Sequence, residues 1–441
     1  MKMKKHVALI ATLCVLQACK TDFESIQYTS GDADFSRTVA LGGSFLAGYQ
    51  NGALTADDQR KSIPALVTQS FNLAGGADFN QPLLPEGNGL GLTNKPWQSP
   101  YRQAQTLGYV TDCKGETSLF PIEHPMSAGE ATPYLQLTGT ASNDFSIPFA
   151  TTSDLIDPSF GLATRSPYFH RFTNGLGATS AFDEALRMNP SFAIVWTGMD
   201  DIYNYAMSGG TSGSINSAAV LGQTLEPMLQ KLTNGGAKAA IANIPDIEVF
   251  PFFKLVSPRA LVLTLNQADS LNALTGSIFD FQEGENGFIV QDASAAFGYR
   301  QMTMSDRMLL SVPLDSVKCH FLGVIPADMP NRYVLDSLEL ADIKTNIAAY
   351  NSAIAGLAAK YDLALVDMYS FFQELDKGIA KDGVHYSTEF IKGGFFSLDA
   401  YHPNQKGYAI LADEFIRSIN AKFGSNLPET HCKDCRGVRF P

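Results

Sequence analysis

The chain has 441 residues, of which 45% are hydrophobic and 17% are charged. This composition is typical of a globular protein of one to three domains and excludes a disordered or collagen-like chain. The 32 basic residues are outnumbered by 44 acidic ones, for a net charge of −12. A nucleic-acid-binding protein presents a basic face, so this charge argues against nucleic acid as a partner.

The N-terminus has the pattern of a secretory signal. Residues 1–5 carry three lysines, residues 7–16 are mainly apolar, and Cys19 directly follows Ala18. The apolar run is shorter than the roughly 20 residues that span a bilayer. The pattern therefore predicts a signal peptide over residues 1–18, which is removed from the mature protein.

The small residue followed by Cys19 resembles a bacterial lipobox. The resemblance implies that Cys19 is acylated, becomes the first residue and anchors the protein to the membrane through lipid. The alternative is an ordinary signal peptide with a chance cysteine. Asp22 and Glu24 weakly resemble the surface-export signals of Bacteroidota-type lipoproteins, and the alternative is a solvated tether. The expected location is the bacterial cell envelope, lipid-anchored to the outer membrane and facing either side.

Short apolar runs alternate with helical patterns along the rest of the chain, after a polar tether at residues 19–37. This alternation predicts an α/β fold with a parallel sheet covered on both faces and a functional site beyond the carboxyl ends of its strands. We expect one domain over residues 38–425, with loop insertions at about 74–150 and 250–335, and a tail at 426–441. The expected strands are residues 38–41, 192–196, 238–242 and 363–367. The expected helices are residues 62–73, 180–188, 219–234, 343–360 and 404–423.

Four cysteines remain for the mature domain. Disulfides are favoured over zinc in an exported protein. Cys432 and Cys435 form a lone CxxC, which indicates a local disulfide or free thiols rather than half of a zinc site. The sequence leaves open whether Cys113 pairs with Cys319.

Three residues suggest nucleophilic catalysis. Ser44 follows a strand and two glycines, which allow a tight turn that presents the hydroxyl. A serine needs a base to take its proton, and His402 is the candidate. Asp399 lies three residues before His402, a spacing that allows its carboxylate to orient the imidazole. Pro403 is expected in the first turn of the last helix, where proline is favoured.

In these motifs the sequence resembles the SGNH or GDSL-type esterases and lipases. Residues 42–49 (GGSFLAGY) resemble the first family block, residues 196–201 (WTGMDD) the third, and residues 399–402 (DAYH) the fifth. The resemblance implies a flavodoxin-like three-layer sandwich, the SGNH hydrolase fold. It also implies ester hydrolysis through an acyl-enzyme on Ser44. Residues 382–385 (DGVH) also match the fifth block, but no proline-opened helix follows them, so His402 is preferred over His385.

Three positions depart from the family pattern. Gly43 replaces the usual aspartate before the serine, and Asp200 replaces the asparagine that normally donates to the oxyanion. An ionised carboxylate only accepts hydrogen bonds, so Asp200 serves as a donor only if it stays protonated, for instance beside Asp201. The second block aligns Phe149 with a glycine. The oxyanion-hole candidates are therefore the Ser44 backbone, Asp200 and the Phe149 backbone.

Two functions remain open at this stage. The first is a serine esterase or lipase with an altered oxyanion hole, acting on an ester-bearing small molecule, a lipid or an acylated glycan. The second is a weak or inactive relative that serves as a surface glycan- or lipid-binding module. No cofactor and no metal are expected, because the sequence contains neither a phosphate-binding glycine loop nor a paired-histidine motif.

Overall fold

The computed structural model describes residues 26–91, 102–125, 137, 141–173, 179–324, 327–430 and 432–441. The predicted signal peptide, Cys19 and the first part of the tether lie outside these ranges. Among the described helices, none combines the length and the apolar composition that crossing a bilayer requires.

The strands of the described residues include five in a central sheet and five two-stranded pairs. They are β1 (Thr38–Gly42), β2 (Arg102–Thr111), β3 (Thr117–Pro125), β4 (Asp144–Ser146), β5 (Phe192–Trp196), β6 (Lys238–Ala242), β7 (Leu261–Leu263), β8 (Gly284–Asn286), β9 (Ile289–Gln291), β10 (Tyr299–Gln301), β11 (Arg307–Met308), β12 (Val334–Leu335), β13 (Ala364–Val366), β14 (Ile379–Lys381) and β15 (Val384–Tyr386).

The α-helices of the described residues range from single turns to the 24 residues of α11. They are α1 (Ser44–Ala47), α2 (Ala56–Gln59), α3 (Ile63–Asn72), α4 (Pro167–His170), α5 (Ala181–Arg187), α6 (Met199–Ala206), α7 (Ala218–Asn234), α8 (Pro251–Lys254), α9 (Leu265–Leu274), α10 (Leu314–Cys319), α11 (Ser337–Lys360), α12 (Met368–Lys377) and α13 (Gln405–Phe423).

The central sheet is parallel and has the order β4-β1-β5-β6-β13. Counted along the chain, its strands stand 2-1-3-4-5, the flavodoxin-like order of doubly wound folds. Helix α3 packs on α13 and α7 packs on α11, and α11 and α13 both contact β6 and β13. The predicted α/β three-layer sandwich is confirmed.

The strand order also explains where a site can form. Strand β1 lies between β4 and β5. The connection from β1 leads to β4 at one edge of the sheet, and the connections after β4 lead to β5 and the strands on the other side of β1. In such sheets, ligand-binding crevices open at these switch points, beyond the carboxyl ends of the strands. The segments that follow β1, β4 and β5 begin with Gly43, Ile147 and Thr197, and hydrogen bonds join them at this end of the sheet.

Two local details differ from the sequence-based expectations. Strand β4 belongs to the central sheet, although its three residues lie within the range expected for the first insertion. Pro403 precedes the cap of α13 rather than standing in its first turn. Asn404 is the N-cap, and its side chain accepts hydrogen bonds from the Lys406 and Gly407 backbone N–H groups.

The second insertion has small hydrophobic clusters of its own. One includes Phe288, Met308 and Met329, and another includes Phe279 and Phe281. The Cys113–Cys319 disulfide links this insertion to the β2–β3 hairpin of the first. The two insertions are therefore covalently joined outside the central sheet.

Candidate active site

Ser44 is the first residue of α1, directly after the Gly43 N-cap, and it is fully buried. Its backbone N–H donates to Asp200 Oδ2 at 2.8 Å, and its hydroxyl donates to Asp200 Oδ1 at 2.8 Å. Asp200 lies in the first turn of α6, after β5, and is itself buried. One carboxylate therefore holds both hydrogen-bond donors of the serine.

Gly43 allows this close approach of Asp200 to the serine turn. A Cβ atom at position 43 would lie 1.8 Å from Asp200 Oδ2 and 3.2 Å from the Ala150 carbonyl oxygen. No side chain fits at 1.8 Å, so residue 43 must be glycine while Asp200 keeps this position. The two departures from the family pattern, at positions 43 and 200, are thus sterically linked.

Phe149 supplies a second backbone donor to the serine. It follows β4, and its N–H donates to Ser44 Oγ at 2.8 Å. Its φ of +63° lies in the left-handed region, where a bulky residue is strained by about 1–3 kcal/mol. The structure therefore gives a conformational reason for the glycine that the second family block normally has at this position.

Asp399 orients His402, as the sequence spacing predicts. Asp399 Oδ2 lies 2.9 Å from His402 Nδ1, and Oδ1 accepts the N–H groups of Tyr401 and His402 at 3.0 and 2.8 Å. Burial acts to raise the pKa of Asp399, but the charge and hydrogen bonds of His402 outweigh it and hold this pKa below the ordinary value of 3.8. A carboxylate that stays ionised fixes the imidazole tautomer and stabilises the imidazolium.

His402 lies among aromatic rings close to the serine turn. The centroid of its ring is 5.3 Å from that of Phe45 and 5.0 Å from that of Tyr49, and the Phe149 ring is 6.3 Å away. Its Nε2 atom is buried and has no hydrogen-bond partner. The structure places the serine and the imidazole against the same residue, Phe149, but the serine hydroxyl donates to Asp200 and not to His402.

Asp201 connects α6 to the segment that carries Phe149. The Thr152 N–H and hydroxyl donate to Asp201 Oδ2 at 2.8 and 3.1 Å. Burial, with a smaller contribution from the charge of Asp200, raises the pKa of Asp201 to about 6 despite these hydrogen bonds. Thr152 carries no sequence motif that marks it, so this positioning contact was not predictable.

The other predicted positions are accounted for as follows. Cys432 and Cys435 form a disulfide, one of the two states that the sequence left open. His385 is exposed in the β14–β15 hairpin, away from the buried serine. Within the described ranges, no group of three or more histidine, cysteine or acidic side chains is arranged to hold a metal ion.

The family model described as "GDSL-like Lipase/Acylhydrolase" matches residues 39–415. The chain belongs to this family. The match runs from β1 to α13 and so includes the whole central sheet. No curated protein sequence matches the chain.

Solved structures similar to this GDSL-like chain share little sequence with it. A putative GDSL-like lipase from Parabacteroides merdae is 10% identical, covering 64% of this chain and 73% of its own, with a TM-score of 0.29. A variant of an acetyl-xylooligosaccharide esterase from Geobacillus is 9% identical, covering 90% and 98%, with a TM-score of 0.35. An extracellular lipase from Streptomyces rimosus is 13% identical, covering 88% and 99%, with a TM-score of 0.32. At these values the similarities carry no conclusion about substrate.

Proposed function

We propose that this GDSL-family protein hydrolyses carboxylic esters through an acyl-enzyme on Ser44. The observation that carries the proposal is a buried serine hydroxyl beside the aromatic cluster that surrounds an imidazole; a carboxylate orients this imidazole, and its Nε2 is unbonded. In the reaction, the hydroxyl turns from Asp200 to His402 and gives its proton to Nε2, while Oγ bonds to the acyl carbon.

The collapse of the resulting tetrahedral intermediate breaks the ester C–O bond. The proton on His402 goes to the departing alcohol, and a water activated by His402 then releases the acid from Ser44. The backbone N–H groups of Ser44 and Phe149 are the donors for the developing oxyanion. The Ser44 N–H bonds to Asp200 in the resting state, so oxyanion binding competes with this carboxylate.

A chromogenic short-chain ester, p-nitrophenyl acetate, tests the proposal. We expect hydrolysis by the wild type, near-complete loss in Ser44→Ala and His402→Ala, and no change in Ser70→Ala, which removes a buried serine hydroxyl from α3. Equal rates for the wild type and Ser44→Ala would reject the enzyme and favour a binding module. The substrate classes remain an ester-bearing small molecule, a lipid or an acylated glycan.

We further propose that Cys19 carries lipid and anchors the protein to the outer membrane. The lipobox-like sequence supports this, and the two disulfides of the described domain are of the kind that persists outside the reducing cytosol. Metabolic labelling with a fatty-acid probe should mark the wild type and leave Cys19→Ala unlabelled. Labelling of that variant would refute acylation at this residue.

A further inference from the structure

A cavity of about 630 Å³ lies beside the loop that carries Asp399. Residues 50–58, the β2–β3 hairpin, Leu398 and the tail from Arg436 onward form its walls. Asn51 links the cavity to the triad loop, because its N–H donates to Ser397 Oγ at 2.9 Å and its Oδ1 accepts from Leu398 N–H at 3.0 Å. The volume is in the range of sites for small ligands.

Two amide side chains of this cavity have unused hydrogen-bonding atoms. Gln50 is 3% exposed, and its Nε2 atom is buried without a partner; Gln105 Oε1 is likewise buried without a partner. Leaving a buried amide atom unpaired costs about 1–3 kcal/mol, so such atoms call for an explanation. Both side chains line the cavity, and once turned toward it they supply one donor and one acceptor, the pair that a hydroxyl group satisfies.

The charged groups of the cavity are balanced. Arg436 forms an ion pair with Asp57, and Gln405 Nε2 donates to Asp57 and Asp58 at 2.8 and 2.9 Å. Arg439 supplies the second cation. The side chains that line the cavity thus include two guanidinium groups and two carboxylates, with no excess of either charge, and this favours a neutral ligand over an anion or a cation.

An apolar surface completes the lining. Phe440 in the tail lines the cavity and is 61% exposed, while Leu107 and Leu398 are buried in its walls. The buried Cys435, which packs in the main core, and the Arg436–Asp57 ion pair hold the tail in place. An exposed ring beside amide groups suits a molecule with both hydroxyl groups and apolar C–H faces.

We propose that this cavity binds a neutral sugar chain, with Gln50 and Gln105 bonding its hydroxyl groups and Phe440 packing on a ring face. The binding does not depend on ester hydrolysis. The sugar is either the carrier of the ester that Ser44 attacks or a separate glycan that holds the protein at its target.

Calorimetric titration of the Ser44→Ala protein with xylohexaose, cellohexaose and maltohexaose tests the site without catalysis. We expect at least one of these sugars to bind saturably. Gln50→Leu and Gln105→Leu should each weaken the binding of that sugar about tenfold, the effect of one or two lost hydrogen bonds. Gln230→Leu, an exposed amide on α7, should bind as the parent does.

A substitution at an exposed position, which leaves the hydrophobic core intact, gives a second measurement. Phe440→Ala removes an exposed ring from the cavity and should weaken binding severalfold, whereas Phe297→Ala removes a ring that is 65% exposed elsewhere and should not. No saturable binding of any hexaose, unchanged affinity in both glutamine variants, or tighter binding of the anionic hexagalacturonate would overturn the proposal.

Acetylated and unmodified xylohexaose distinguish the two sources of the sugar. Tighter binding of the acetylated form to Ser44→Ala would support the cavity as the carrier site of the ester substrate. Equal binding of both forms would support a separate glycan site. Failure of esterase activity with intact sugar binding would reject the proposed hydrolysis alone.

Discussion

Asp200 determines how the serine is held. Its carboxyl group accepts both the N–H and the O–H of Ser44 and occupies the position where the family resemblance implies an amide donor. The negative charge that develops on a substrate oxygen would meet this carboxylate, and like charges in a buried site repel strongly. We therefore expect an ionised Asp200 to slow ester hydrolysis at Ser44.

Asp200→Asn should raise kcat/KM for p-nitrophenyl acetate by about 10²–10³-fold, the effect ascribed to one oxyanion-hole donor. The amide oxygen can still accept from the Ser44 N–H, while the amide nitrogen becomes a donor. Steady-state kinetics measure the change. Asp201→Asn is the matched control, because Asp201 bonds to Thr152 and not to Ser44, and it should give no such rise. An unchanged rate in Asp200→Asn would mean that other groups stabilise the oxyanion.

Sequence motifs marked the residues of the candidate site, but most of the contacts of these residues were not predictable. The motifs identified Ser44, Asp399 and His402, and the Asp399–His402 hydrogen bond confirms the spacing argument for that pair. The sequence marked Gly43 only as a residue that allows a turn. Its closer constraint is the Asp200 carboxylate, which comes from a residue 157 positions away and so leaves no local pattern.

At the scale of elements, the end of β1 and the start of α6 are fitted to each other. The turn after β1 has room for a hydrogen atom but not for a side chain at Gly43. Asp200, in the first turn of α6, fills the space beside it. A change in one element therefore has a cost that depends on the other, which a double-mutant cycle measures.

Gly43→Ala should destabilise the wild type by about 2 kcal/mol or more, because its Cβ would overlap Asp200 Oδ2. In an Asp200→Ala background the same change should cost much less, since the carboxylate is gone. Urea unfolding of the four proteins gives the coupling free energy. Equal costs in both backgrounds would show that the turn itself, and not Asp200, requires glycine.

Long elements with a strong pattern were predictable from the sequence, and short or irregular ones were not. Four of the five central strands follow from continuous apolar runs, since a parallel strand buried on both faces needs apolar residues throughout. Strand β4 has three residues, too few for any periodicity. The β2–β3 hairpin and the small sheets of the second insertion depend on tertiary contacts and a disulfide that residue patterns do not encode.

For the whole molecule, a buried carboxyl beside the sugar-binding cavity makes stability depend on pH. Burial raises the pKa of Asp58 from 3.8 to about 6, and the charge of Asp57 adds to this. Between about pH 4 and 6 the folded protein keeps a proton that the unfolded chain has released. The contribution of Asp58 to the free energy of unfolding therefore falls as the pH rises through this window.

Asp58→Asn should remove this decline while keeping an oxygen for the Gln405 hydrogen bond. Relative to the wild type, its free energy of unfolding should rise by about 2–3 kcal/mol between pH 4 and pH 7. Denaturant titrations at these two pH values measure it, with the exposed Asp269→Asn as control. Parallel pH profiles for wild type and Asp58→Asn would contradict the raised pKa.

The two disulfides close loops of very different length. Cys113 and Cys319 are separated by 206 residues and join the β2–β3 hairpin to the second insertion, whereas Cys432 and Cys435 are separated by three. Lys318 adds ion pairs to Asp112 and Glu116 at the first junction. In the loop-entropy account, a cross-link over some 200 residues stabilises the fold by about 5 kcal/mol, and one over three residues by about 2 kcal/mol or less.

Replacing Cys113 and Cys319 together with serine should therefore lower the free energy of unfolding by several kcal/mol more than replacing Cys432 and Cys435. Guanidinium unfolding of both double variants makes the comparison, and each serves as the control for the other. Replacing Cys432 and Cys435 should instead weaken sugar binding, since Cys435 packs in the core just before the segment that carries Phe440. Equal losses of stability in the two variants would mean that loop length does not govern how these cross-links act, and that the insertions hold together through their noncovalent contacts.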